Sequence, residues 1–153
     1  MTVQKRPGSF QVAVAWLKSL PELAATEVAT TLPQPKDWPG QDFVTVSASL
    51  GGMPSPYIAT RIAVMQVDAW AKAPNSTRPA WNRASITAEA IRDACLGNLA
   101  HGIFTIPGGF LSADLHGVTC MAEPRRAGND PAAIARYMLS LEFVFTPVGL
   151  VIV

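Results

Sequence analysis

Charge is scarce in this chain. Only 15% of its 153 residues are Asp, Glu, Lys or Arg, against about 25% in an ordinary soluble domain. The 12 Lys and Arg nearly cancel the 11 Asp and Glu, leaving a formal net charge of +1. Such a balance excludes a generally basic nucleic-acid binder and leaves room only for a local patch. Cysteine is equally sparse: Cys95 and Cys120 are too few for a disulfide framework or a cysteine zinc site, and are expected as small buried apolar residues. The two histidines, His101 and His116, lack the close spacing of a ligand motif, so no metal and no other cofactor is expected. No apolar run reaches the length of a membrane span. The polar segment Met1 to Gly8 lacks the apolar region of a signal peptide, which points to an intracellular or assembled-particle component. Gly51-Gly52 has neither the lysine, the third glycine nor the following helix of a phosphate-binding loop, and reads as a hairpin connection.

Apolar residues, by contrast, make up 49% of the sequence. A chain of this size can bury roughly 70% of its extended surface in one core, and no linker or repeat divides it, so residues 1–153 are expected to form a single domain. Its organising stretch runs from Arg61 to about Leu99. Residues 61–70 alternate, with Ile62, Val64, Gln66, Asp68 and Trp70 on one face and Ala63, Met65, Val67 and Ala69 on the other. Two largely apolar faces mark an interior strand. A Pro/Asn/Ser/Arg loop follows, and from about Arg83 a helix is expected with a stripe at Trp81, Ala84, Ala88, Ile91, Cys95 and Leu99.

Around this unit the remaining segments fall into place. Residues 10–20 carry Val12, Trp16 and Leu20 at helical spacing, and Ser19-Leu-Pro-Glu22 has the form of a capping box for a second short helix. Residues 28–33 read as extended, with a turn at Trp38-Pro-Gly40. Residues 42–50 alternate with Val44, Val46, Ala48 and Leu50 toward the core, and Gly51-Gly-Met-Pro54 supplies the turn into residues 58–70. Residues 101–110 read as a loop or short extended piece, residues 113–123 as another strand, and residues 123–131 as a polar loop. The last strand, residues 134–146, sets Tyr137, Leu139, Leu141, Phe143 and Phe145 against a more polar face. The apolar extension 148–153 is expected to dock on its own sheet or on another subunit. The expected class is α+β: a mixed, mainly antiparallel sheet of about four strands packed by a long central helix and an N-terminal helix. The candidate core is Trp16, Val67, Trp70, Trp81, Ile91, Tyr137, Leu139, Leu141, Phe143 and Phe145.

Chemistry-bearing residues are few, and no catalytic residue is assigned. Asp68 and Asp114 lack a paired-carboxylate motif, and Asp68 suits an acceptor of arginine or backbone hydrogen bonds. His101, His116 and Asp114 meet around a metal only if the loop folds back; a Cys120–His101 dyad demands a similar approach. Arg125 and Arg126, bracketed by Pro124 and Gly128, form the candidate docking loop, since guanidinium pairs with carboxylate or phosphate. Trp81 between Arg78 and Arg83 reads either as a base-stacking site or as an aromatic at a helix start, and no nucleic-acid signature accompanies it.

Taken in order, several segments resemble the tail terminator proteins of siphophages with actinobacterial hosts. The likeness begins at Val14-Ala-Trp16-Leu17-Lys18 and Leu32-Pro33 and continues through Asp42-Phe-Val44, Gly51-Gly52 and Pro56-Tyr57. It is strongest at Val67-Asp-Ala-Trp70-Ala71, Arg78-Pro-Ala-Trp81, Glu123-Pro-Arg-Arg126 and Ala135-Arg-Tyr137, so that it spans residues 10–146. Ala80 stands where related sequences often continue a Pro-Pro-Trp turn. The resemblance implies α+β subunits in a ring, usually a homo-hexamer, on the head-proximal end of the completed tail tube. Such a ring stops addition of the major tail tube protein and joins a head-completion or connector protein. Viral DNA passes through its lumen without sequence-specific binding, and no membrane is involved. The implied location is the head–tail junction of the virion, and the host cytoplasm during assembly. The alternatives are another neck or tail adaptor, or a small enzyme using His101, Asp114 or Cys120.

Overall fold

The longest alternating segments of the sequence become the longest strands of a computed structural model, which describes residues 3–32, 42–54, 59–73, 78–97, 100–106, 111–127, 134–148 and 150–152. Three strands form the spine: β3 (Phe43–Pro54), β4 (Arg61–Lys72) and β8 (Ile134–Val148). β4 lies between the other two, antiparallel to both, as its two largely apolar faces require. Strands β2 (Glu27–Ala29), β5 (Gly102–Thr105), β6 (Ser112–Cys120) and β7 (Arg125–Arg126) bring the sheet to seven strands among the described residues. The order is β2-β3-β4-β8-β6-β5, with β7 continuing beside β8 and β2 running parallel to β3. A separate two-stranded ribbon pairs β1 (Val3–Lys5) with β9 (Leu150–Ile152), so the apolar extension docks on the start of the same chain.

Two short helices cover one face of the sheet. Helix α1 (Ser9–Ser19) inserts Trp16 edge-on against Phe143, with ring centroids 5.6 Å apart. Helix α2 (Trp81–Ala94) buries Ala84, Ala88, Ile91 and Ala94. Ala88, Ile91 and Ala94 join Met65, Val67, Leu139, Leu141, Phe143 and Phe145 in the main core. Arg61 ties the start of α1 to the start of β4: its guanidinium donates to Ser9 Oγ at 3.1 Å and lies over the Phe145 ring.

The expected arrangement, a long central helix packed on four strands, is corrected. The protein is mostly sheet, 49% strand in a curled half-barrel, and its helices are short. Helix α2 stops at Ala94 because the backbone tightens there: the Cys95 N–H reaches the Arg92 carbonyl and the Leu96 N–H the Asp93 carbonyl, closing a turn. Strands β2, β5 and β7 are two to four residues long, too short to carry an alternating pattern.

Several local expectations also change. Gly51 and Gly52 lie inside β3 rather than in a turn, at φ of 114° and 148°. Register shifts between Val46 and Ala48, and again between Ser49 and Gly51, break the alternation of β3. As a result Leu50 is 51% exposed instead of core-facing; Thr45, ahead of both shifts, is buried where it accepts from the Trp70 indole. Ser19 makes no capping box; its hydroxyl donates back to the Trp16 carbonyl, and a single 3₁₀ turn, Pro21–Leu23, follows. The expected turn at Trp38-Pro-Gly40, the helix position Leu99, and much of the 123–131 loop lie outside the described residues.

Candidate assembly surface

Because the helices occupy one face, the other face of the sheet carries its own polar chemistry. Asp68 is fully buried there, although it points away from the main core. Arg136 Nη2 donates to Asp68 Oδ2 at 3.0 Å, Ser47 Oγ donates to the same oxygen at 2.8 Å, and Gln66 Nε2 approaches both oxygens at 3.2 and 3.3 Å. Three strands therefore supply the partners of one carboxylate, as a buried charge demands. The Arg136 guanidinium also stacks 4.8 Å from the Trp70 ring, whose indole N–H donates to Thr45 Oγ1 at 2.9 Å. Asp68 is thus a structural acceptor that pins β3, β4 and β8 in register.

The tryptophans divide accordingly. Trp16 is in the main core. Trp70 instead packs with Leu32, Phe43 and Ile134 in a small cluster apart from that core. Trp81 and Tyr137 are both half-buried and meet edge-on at 6.3 Å beside Ala71, Ala84 and Ala135. Val67, Ile91, Leu139, Leu141, Phe143 and Phe145 are each at most 1% exposed.

Arg125 and Arg126 sit not in a free loop but in β7, opposite Met138 and Tyr137 of β8. Adjacent strand residues project to opposite faces, so the two guanidinium groups do not combine into one patch. Arg126 turns to the helix side and lies 4.3 Å from the Trp81 ring centroid. There it borders a cleft of ≈ 440 Å³ with Pro79, Trp81, Asn82 and Arg83. Arg83 is engaged by the Asp42 carboxylate and also donates to the Lys72 carbonyl at 3.3 Å. Arg125 projects from the opposite face and is exposed.

The remaining chemical candidates separate. His116 shares a hydrogen bond with Thr146 Oγ1 at 2.7 Å, and His101 lies just before β5, whose Gly102 pairs with Leu115. No group of three metal-ligating side chains forms among the described residues. Cys120 lies five residues along β6 from Leu115, roughly 16 Å at strand spacing, so the Cys120–His101 dyad is not assembled. Cys120 instead lines one cleft with Cys95, between the ends of α2 and β6. Sequence reasoning missed that juxtaposition because 24 intervening residues give no local signal; the Asp68–Arg136 pair was partly visible, since Asp68 interrupts an otherwise apolar strand.

No protein-family model matches the chain, and comparison with curated proteins gives no match.

Proposed function

We propose that the chain is a ring-forming structural subunit that caps the head-proximal end of a phage tail tube. It ends addition of the major tail tube protein and offers a joining surface to a head-completion or connector protein. The observation that carries this reading is a pair of unfinished edges at opposite ends of one sheet. Among the described residues, β2 covers β3 only over Phe43–Thr45, and β5 covers β6 only over Ser112–Leu115. The outer side of β3 beyond Thr45, and of β6 beyond Leu115 together with β7, has no strand neighbour among those residues. Open edges are templates for pairing with another chain. Two dissimilar edges meet head to tail, a contact that yields a ring when its rotation closes.

Side chains at both edges support the same reading. Leu50 on β3, Ile103 on β5 and Met121 beyond β6 are 51%, 74% and 54% exposed, so each edge carries a large apolar group that a neighbour could cover. Exposed Arg125, in β7, adds a positive group to the edge formed by β6 and β7. The sequence resemblance supplies the remaining particulars, namely a homo-hexamer, a lumen passed by viral DNA without sequence-specific contact, and residence at the head–tail junction. No catalytic residue or cofactor is part of the mechanism; termination follows from a ring face that does not match another copy of the tube protein.

Electron microscopy of the purified protein mixed with tail tubes, alongside native mass measurement, tests this. Rings at one end of the tube and halted lengthening are expected. Single copies bound along the tube, or rings at the tail tip, overturn the reading. Arg125→Gln should weaken ring formation or head attachment while leaving the monomer stable. Arg126→Gln should instead lower monomer stability by about 0.5–1 kcal/mol through the lost Trp81 contact, read by chemical denaturation.

A further inference from the structure

Helix α2 and strand β6 end at the same place in the molecule. Cys95 caps the helix, Cys120 is the last residue of the strand, and both line one cleft of ≈ 450 Å³ with Arg92, Met121 and Glu123. Both are free thiols and both are half-buried. Each donates its S–H to a carbonyl, Cys95 to Ile91 at 3.4 Å and Cys120 to Ala122 at 3.2 Å. Burial pushes the Cys95 thiol up to about 12, and Cys120 adds a smaller push in the same direction. The Cys120 thiol is also raised, chiefly by burial. Glu123 and Glu89 add to that rise, while the Ala122 hydrogen bond and Arg92 oppose it.

We propose that Cys95 and Cys120 form an oxidation site, closed by a two-electron oxidant of the peroxide class into an intramolecular disulfide that staples the end of α2 to the end of β6. Cys120 is the less deeply buried of the two and reacts first. Its thiolate attacks one peroxide oxygen; an S–O bond forms, the O–O bond breaks, and the departing hydroxide takes up a proton as water. The Cys95 sulfur then attacks the Cys120 sulfur. The S–O bond breaks, and the second water leaves with the proton that Cys95 surrenders. Two thiols lose two hydrogens, and one peroxide becomes two waters.

Two weakly acidic thiols give this site a particular character. Little thiolate exists at neutral pH, so closure is slow. Reduction of the closed bridge has to expel one of the same two sulfurs, and a weakly acidic thiol is a poor leaving group. The pair therefore acts as a latch rather than an exchange catalyst: open in a reducing compartment, closed after long exposure to an oxidising one, and resistant to reopening. None of this depends on the tail-capping role.

The full chain, incubated with hydrogen peroxide at pH 7 and pH 8, decides the matter by intact mass, thiol count after denaturation and peptide mapping. The expected product has lost two hydrogens, has no titratable thiol, runs as a single chain without reductant, and maps as Cys95 joined to Cys120. Closure should be about tenfold faster at the higher pH, following the thiolate fraction. Cys95→Ser should stop at a Cys120 sulfenic acid that dimedone traps, and Cys120→Ser should leave Cys95 unmodified. Retention of both thiols, interchain dimers, or a Cys120 sulfinic acid beside an intact Cys95 would overturn the proposal. The wild-type mass and map suffice even where a serine variant fails to fold.

Discussion

At Gly52 a single hydrogen atom decides whether β3 and β4 can pair. A Cβ at this position would lie 2.0 Å from the Ile62 carbonyl oxygen, and φ of 148° is itself unfavourable to any L side chain. Gly51, at φ of 114°, faces open space. Gly52→Ala should therefore cost at least about 3 kcal/mol, because backbone has to separate from backbone, whereas Gly51→Ala should cost only about 1 kcal/mol of conformational strain. Denaturant unfolding of the two variants side by side checks this; equal effects would contradict it. Asp68 poses the corresponding question for charge. Asp68→Ala should destabilise by about 3 kcal/mol, toward the lower end for a broken buried pair, because part of the Arg136 side chain still reaches water. Asp68→Asn retains acceptor and donor groups for Ser47 and Gln66 and should cost less, by the same measurement. The glycine pair was legible as a backbone irregularity but not as a bulge, since a turn and a bulge draw on the same residue.

Among the elements, β8 holds the molecule together. It pairs with β4 along twelve residues and with β6 and β7 on its other side, and its alternate residues Leu139, Leu141, Phe143 and Phe145 share the main core with both helices. Leu141→Ala should cost about 2–5 kcal/mol, depending on how far the cavity collapses, and Leu141→Asp should be worse because the new carboxylate has no partner. A thermal or denaturant melt that left both unchanged would contradict the assigned face. This strand was readable because its alternation from Leu139 through Phe145 admits one interpretation. Helix α1 was readable for the same reason, through Val12, Trp16 and their neighbours. Length was the limit elsewhere. Strands β2, β5 and β7 owe their existence to a longer neighbour offering an edge, and nothing within Glu27–Ala29 or Arg125–Arg126 records that neighbour. The arginine pair was accordingly read as one loop patch, although the pleat of a two-residue strand sends its members to opposite faces.

For the whole molecule, the helices were the misleading signal. The Trp81 to Leu99 stripe is apolar enough to suggest a dominant helix, yet α2 covers only part of one sheet face, and the architecture belongs to the strands. The β1–β9 ribbon adds a property of another kind. Val3 lies opposite Ile152 and Lys5 opposite Leu150, so the start of β1 and the finish of β9 lie side by side at the same end of the ribbon. Tension applied through those ends loads the three residue pairs one after another, as in a zipper, instead of shearing them together. Single-molecule stretching between the ends should show the ribbon parting at low force before the seven-stranded sheet yields; one high-force event with no earlier extension would contradict this. The ribbon is thus a mechanical fuse, sparing the sheet any pull on the ends until it has opened.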